Sequence, residues 1–79
     1  MNKEEVFLKV TEIFKDVFDD DTIELTDATT SEDIEGWDSI MHITLIGAIE
    51  MEYKIKFTMK EVVSIKNVGE MVDLIIQKL

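Results

Sequence analysis

Ser39 is the residue whose type and position in this 79-residue sequence most clearly allow chemistry. It lies in the segment GWDSI, residues 36–40, after an acidic stretch and near the predicted start of a helix. A serine oxygen can be esterified, and the unpaired backbone N–H groups at a helix N-terminus stabilise an attached anion by about 0.3–1 kcal/mol per charge. Serine is also a common helix cap, so the segment alone leaves open both a phosphoester site and a purely structural role.

The single histidine, His42, lies three residues after Ser39, a spacing at which two helical side chains can approach each other. Nucleophilic hydrolysis also needs an oriented base and an oxyanion site in a cleft, and beyond Asp38 the sequence offers neither. The chain has no cysteine, and one histidine alone cannot build a metal site. We therefore expect a non-catalytic protein without a metal site.

Negative charge is concentrated in one part of the chain. The formal net charge is −10, and residues 16–38 contain ten acidic residues and no lysine: Asp16, Asp19, Asp20, Asp21, Glu24, Asp27, Glu32, Asp33, Glu35 and Asp38. This charge repels nucleic acids and anionic membranes and attracts proteins with basic surfaces. With no apolar run of roughly 20 residues and a charged start, the sequence predicts a cytoplasmic protein.

The acidic stretch also raises the alternative of a calcium-binding helix pair. A calcium loop of the EF-hand type beginning at Asp19 needs glycine at position 24 and an acidic residue at position 30. The sequence has Glu24 and Thr30 there, so the spacing does not match. A second alternative, an unmodified adaptor that binds another protein through its acidic loop and an apolar helix, stays open.

Apolar spacing and capping patterns predict four helices. They cover about residues 3–18, 38–53, 59–64 and 68–79, and a long loop over residues 19–37 contains one expected helical turn near residues 31–35. Asn2 with Glu5, Thr58 with Glu61, and Asn67 with Glu70 have the spacing of capping boxes. The second helix is apolar nearly all round, which is typical of a central helix.

These elements predict an all-α fold: a four-helix bundle of three main helices and one short helix, with a long first loop. Hydrophobic residues make up 46% of the chain, enough to fold into a globule, and the length allows a single domain over residues 1–79. The alternating segment KIKF, residues 54–57, has the pattern of a strand but is too short to predict one.

Taken together, the motif and its surroundings resemble the acyl carrier protein family. Asp38, Ser39 and Ile40 stand where that family has Asp-Ser-Leu, and the segments WDSIMHITLIGAIEMEYKIKFTMKEV and KNVGEMVDLI are similar to its second-helix region and its closing helix. The resemblance extends over nearly the entire chain. Trp37 and His42 are similar to residues of stand-alone carriers from specialised pathways such as polyketide assembly.

The resemblance implies that a phosphopantetheinyl transferase joins the 4′-phosphopantetheine of coenzyme A to Ser39, with Asp38 and Ile40 completing the motif. The protein would then carry acyl intermediates of fatty-acid, polyketide or other specialised biosynthesis, and an aminoacyl or peptidyl carrier is the alternative within the same class. An acyl chain can lie among the helices of the family, and the residues expected to line its pocket here are Ile43, Ile46, Val62 and Met71.

Partner enzymes of the family dock on the second helix, which is acidic in fatty-acid carriers. Here the residues expected to meet partners are largely uncharged: Trp37, Met41, His42, Thr44, Ala48 and Met51. We therefore expect the acidic loop to attract acyl-loading and acyl-transferring enzymes that have basic surfaces. Apolar packing on this helix would then hold the bound enzyme. We expect the carrier itself to be a monomer.

Overall fold

A computed structural model describes residues 2–79, so Met1 of the predicted domain lies outside the described residues. The chain forms four helices: α1 (Lys3–Phe18), α2 (Ser39–Tyr53), α3 (Met59–Ser64) and α4 (Val68–Lys78). Their bounds agree with the prediction to within one residue. Residues 31–35 form turns, and within residues 2–79 the backbone contains no strand, KIKF included.

Polar side chains cap the start of each helix, as the sequence predicts. The Asn2–Glu5 and Thr58–Glu61 pairs form complete capping boxes around α1 and α3. The third predicted box is only half formed. Asn67 accepts a hydrogen bond from the backbone N–H of Glu70, but the Glu70 carboxylate accepts from the N–H of Lys66 at 2.9 Å rather than from that of Asn67.

The core is one hydrophobic cluster around α1, which packs against both α2 and α4. Its fully buried members include Val6, Val10 and Phe14 of α1, Leu45 and Ile49 of α2, and Val68, Met71, Val72 and Ile75 of α4. The first loop contributes Ile23 and Trp37 to the same cluster. Because these two loop residues are buried, the loop is packed against the bundle at both of its ends.

Main-chain hydrogen bonds join the loop to α4. The carbonyl oxygens of Asp27 and Thr29 each accept a 2.9 Å hydrogen bond, from the N–H groups of Gly69 and Val68 respectively. Thr29 is itself buried, and its hydroxyl accepts a hydrogen bond from the Thr26 N–H. The long connection is therefore an ordered part of the fold. Within residues 2–79, no helix is both long and apolar enough to cross a membrane.

Candidate functional site

Ser39 is the first residue of α2, and its side chain is exposed. The residue that caps the helix is Asp38, whose carboxylate accepts a 2.9 Å hydrogen bond from the N–H of Met41. The structural role considered for Ser39, that of a helix cap, is therefore filled by its neighbour. The Ser39 hydroxyl stays available at the positive end of the α2 dipole.

An open groove of about 500 Å³ lies beside Ser39, between the start of α2 and α3. Ser39 and Asp38 lie on its rim, Ile43 and Val62 are among its apolar lining residues, and Lys66 adds a positive charge. Two of the four predicted pocket residues thus line this groove. The other two lie elsewhere: Met71 is fully buried in the core, and Ile46 is buried away from the groove lining.

The groove has further lining residues that the sequence analysis did not identify. Met59 and Val63 of α3 are 70% and 73% exposed, and Ile65 and Ser31 complete its edges. Positions 59, 62 and 63 have the i, i+3, i+4 spacing of one helix face, so the capping box at Thr58 combined with this spacing could have indicated them.

Trp37 and His42 lie at the inner end of the groove and contact each other. The indole N–H of Trp37 donates a 3.1 Å hydrogen bond to Nδ1 of His42, and Nε2 of His42 lies 3.0 Å from the carbonyl oxygen of Val62. Trp37 is only 8% exposed and its ring meets Phe14 of α1 edge-on, with 5.1 Å between centroids. Two of the six residues expected to meet partners thus lie inward: Trp37 is part of the core and His42 is half-buried between α2 and α3.

The exposed residues of α2 differ from those that the sequence analysis expected to meet partners. Thr44 and Met51 are exposed, but Met41 and Ala48 are half-buried against the core. Ile40 and Ile43, at 74% and 61% exposure, take their place. We call Ile40, Ile43, Thr44 and Met51 the exposed α2 face. The sequence could not decide this orientation, because a helix with apolar residues on nearly every side has no hydrophobic face that distinguishes inside from outside.

Little charge lies on this face. The Glu50 carboxylate accepts a 2.8 Å hydrogen bond from the N–H of Phe57, and the Glu52 carboxylate lies 3.9 Å from the Lys9 ammonium of α1. By contrast, all ten acidic side chains of residues 16–38 are exposed. The exposed α2 face, which is largely apolar, therefore adjoins a strongly negative loop. Within residues 2–79, no group of three or more His, Asp or Glu is placed to hold a metal ion.

Helix α3, which forms one wall of the groove, is held in place by the charged side chain of Glu61. The Glu61 carboxylate accepts a 2.8 Å hydrogen bond from the N–H of Thr58 and contacts the Lys78 ammonium of α4 at 2.9 Å. The backbone hydrogen bond from Thr58, followed by the contact with Lys78, lowers the pKa of Glu61. Lys78 also lies 5.5 Å from the centre of the Phe57 ring, which adds a cation–π contact. These contacts connect α3 to the end of α4.

Comparison with known proteins gives a family for this arrangement. Residues 8–75 match the family described as "Phosphopantetheine attachment site". This chain belongs to the acyl carrier protein family. The carrier is similar to a holo acyl carrier protein from Geobacter metallireducens whose structure was solved by NMR. The two sequences are 46% identical, the match covers 92% of this chain and 84% of that chain, and the TM-score is 0.87. The search of curated proteins gave no match.

Family membership confirms four predictions: the all-helical carrier fold, the carrier function, the absence of a catalytic role and the 4′-phosphopantetheine group, which a phosphopantetheinyl transferase attaches. The geometry of this acyl carrier protein fits that group. An exposed hydroxyl at the start of α2 can bear a phosphoester, and the open groove beside it, lined by Ile43 and Val62, can accommodate apolar atoms.

Proposed function

We propose that Ser39 is the attachment point of the 4′-phosphopantetheine arm and that Asp38 and Ile40 form the rest of the recognition motif. The observation that carries this proposal is the division of roles at the start of α2: Asp38 caps the helix, so the Ser39 hydroxyl is exposed on the rim of the groove. The free N–H groups of the first helical turn favour the negative phosphate at this position.

In this function the chain's own residues position the arm and do no chemistry on it. Ser39 Oγ would be joined to the phosphate of the arm, and Asp38 would keep the first turn of α2 formed by accepting the Met41 N–H. The arm supplies a thiol, which this cysteine-free chain lacks, and the thiol bears the acyl group.

We propose that the cargo is an acyl intermediate of fatty-acid, polyketide or another specialised biosynthesis. The groove supports this because its apolar residues, Ile43, Met59, Val62 and Val63, offer surface to a hydrocarbon chain. Ile46 and Met71 would contact cargo only if the chain entered the core between the helices, because both are buried.

We further propose that partner enzymes dock on the exposed α2 face. Its apolar residues offer packing area beside Ser39, and the exposed acids of the loop attract basic surfaces over a longer range. Met41, Ala48, His42 and Trp37 would support this face from beneath, since they are buried or half-buried. The net charge of −10 disfavours self-association, which supports a monomeric carrier. We propose that this carrier is one domain and acts in the cytoplasm.

Intact mass tests the attachment site. The protein is incubated with coenzyme A, Mg²⁺ and a broad-specificity phosphopantetheinyl transferase, together with Ser39→Ala and the matched control Ser31→Ala, which removes another exposed hydroxyl from the same groove. We expect wild type and Ser31→Ala to gain one phosphopantetheine and Ser39→Ala to gain none. Modification of Ser39→Ala would place the site elsewhere, and an unmodified wild type would contradict attachment at Ser39.

A further inference from the structure

We infer that His42 is a positioning residue for the Ser39 site: its neutral imidazole connects Trp37 to Val62 across the groove, and protonation of the ring breaks this connection. The inference concerns the unmodified chain. Only its consequence for modification of Ser39 rests on the proposed function.

The partners of the ring determine where its proton lies. An indole N–H can only donate a hydrogen bond and a carbonyl oxygen can only accept one. Nδ1, which faces the Trp37 N–H at 3.1 Å, must therefore be the unprotonated acceptor, and Nε2, 3.0 Å from the Val62 carbonyl oxygen, must carry the hydrogen. Only the neutral Nε2–H tautomer satisfies both contacts. A second proton, on Nδ1, would point at the indole N–H, and the hydrogen bond between Trp37 and His42 would be lost.

The two partners belong to different parts of the groove. Trp37 ends the loop two residues before Ser39 and is held in the core against Phe14 of α1. Val62 belongs to α3, the opposite wall. His42 itself lies on the first turn of α2, where its backbone N–H donates to the Asp38 carbonyl oxygen at 2.8 Å. The ring thus connects α3 to the helix start that presents Ser39.

The His42 ring shares its groove with charged residues. Asp38 at the start of α2 and Lys66 between α3 and α4 line the same groove, and they carry opposite charges. On α3, the Glu61 carboxylate is bound to the Thr58 N–H and to Lys78. From α1, the residue packed on Trp37 is the apolar Phe14. The polar contacts of the His42 ring are the hydrogen bonds with Trp37 and Val62.

NMR of the unmodified protein tests the tautomer directly, and the single histidine and single tryptophan make the assignment unambiguous. At a pH of about 8, imidazole nitrogen shifts should show hydrogen on Nε2 and none on Nδ1. When acid is added, the Trp37 indole N–H resonance should move together with the ring-proton resonances of His42. An Nδ1–H tautomer, or an indole resonance that ignores the titration, would overturn the inference.

His42→Gln provides a matched control, because its amide oxygen can accept from Trp37 and its amide N–H can donate to Val62, yet it does not titrate. Transferase modification of Ser39 is then measured for wild type and variant, each relative to its own rate at a pH of about 8. We expect the wild-type rate to fall several-fold further than that of His42→Gln on acidification. Equal profiles would refute the positioning role, whereas complete lack of modification would refute the attachment site and leave the NMR result standing.

Discussion

The backbone N–H of Gly69 donates a 2.9 Å hydrogen bond to the carbonyl oxygen of Asp27, and a Cβ at position 69 would lie 3.0 Å from that same oxygen. The approach is this close because the loop backbone satisfies N–H groups of the first turn of α4, which have no partner within their own helix. Only glycine lets the two backbones meet in this way without displacement.

Gly69→Ala should therefore lower the free energy of unfolding by about 1–3 kcal/mol, the usual cost of forcing atoms into a packed site. Gly47→Ala is the matched control. A Cβ at position 47, in the middle of α2, meets nothing within 4 Å, so this change should stabilise the protein by about 0.5–1 kcal/mol through helix propensity. Urea unfolding measures both. Equal effects of the two substitutions would show that the contact between the loop and α4 is not tight.

Tyr53→Phe should leave the stability unchanged or raise it by about 1 kcal/mol. The Tyr53 hydroxyl is buried and, within residues 2–79, has no hydrogen-bond partner. Burial is the largest influence on the pKa of Tyr53 and raises it. The buried hydroxyl has lost its contact with water and has gained no hydrogen-bond partner, so removing it removes its desolvation penalty. Thermal unfolding checks this, with Tyr53→Leu as the control that also removes ring packing. A clear fall in Tm for Tyr53→Phe would mean that the hydroxyl makes a stabilising contact.

Glu61→Gln should cost stability at neutral pH and much less in acid. The hydrogen bond from the Thr58 N–H and the contact with Lys78 lower the pKa of Glu61 in the folded protein. The ionised Glu61 carboxylate therefore contributes its full stabilisation above the pKa of an unfolded glutamate, about 4.3. This stabilisation is lost as the pH falls through the lower pKa of the folded state. Glutamine keeps the capping oxygen but not the charge. The difference in Tm between wild type and variant should therefore shrink between a pH of about 7 and about 3. A constant difference would assign the effect to packing.

Met51→Glu should slow acyl loading by the native partner enzyme about tenfold, which corresponds to roughly 1.4 kcal/mol of lost docking energy. Met51 is 82% exposed on the α2 face, so the change places a charge where apolar packing is proposed. Leu8→Glu, a substitution with the same charge change at a 59% exposed position of α1, is the control and should have no such effect. Loading kinetics at constant ionic strength distinguish the two. Equal slowing would indicate a general effect of added charge.

The helices could be predicted from the sequence because their signals are local. The capping residues Asn2, Asp38 and Thr58 and the apolar periodicity lie within each helix or next to it. The position of Ser39 at a helix start follows from the same signals.

The remaining features depend on contacts between residues far apart in the chain. The loop is attached to α4 through the backbone carbonyl oxygens of Asp27 and Thr29, and the His42 ring contacts the backbone carbonyl oxygen of Val62. No side-chain pattern reveals which backbone groups take part in such contacts. The orientation of α2 was missed for a different reason, since Ile43 and Met41 are equally apolar and only tertiary packing decides which of them is buried.

Trp37 gives this carrier a built-in optical reporter. It is the only tryptophan, it lines the groove beside Ser39, and its ring stacks on His42 with 5.9 Å between centroids. Its ultraviolet emission therefore reports on one known place in the molecule. Stopped-flow fluorescence can therefore test whether cargo enters this groove, without a dye that would alter so small a surface.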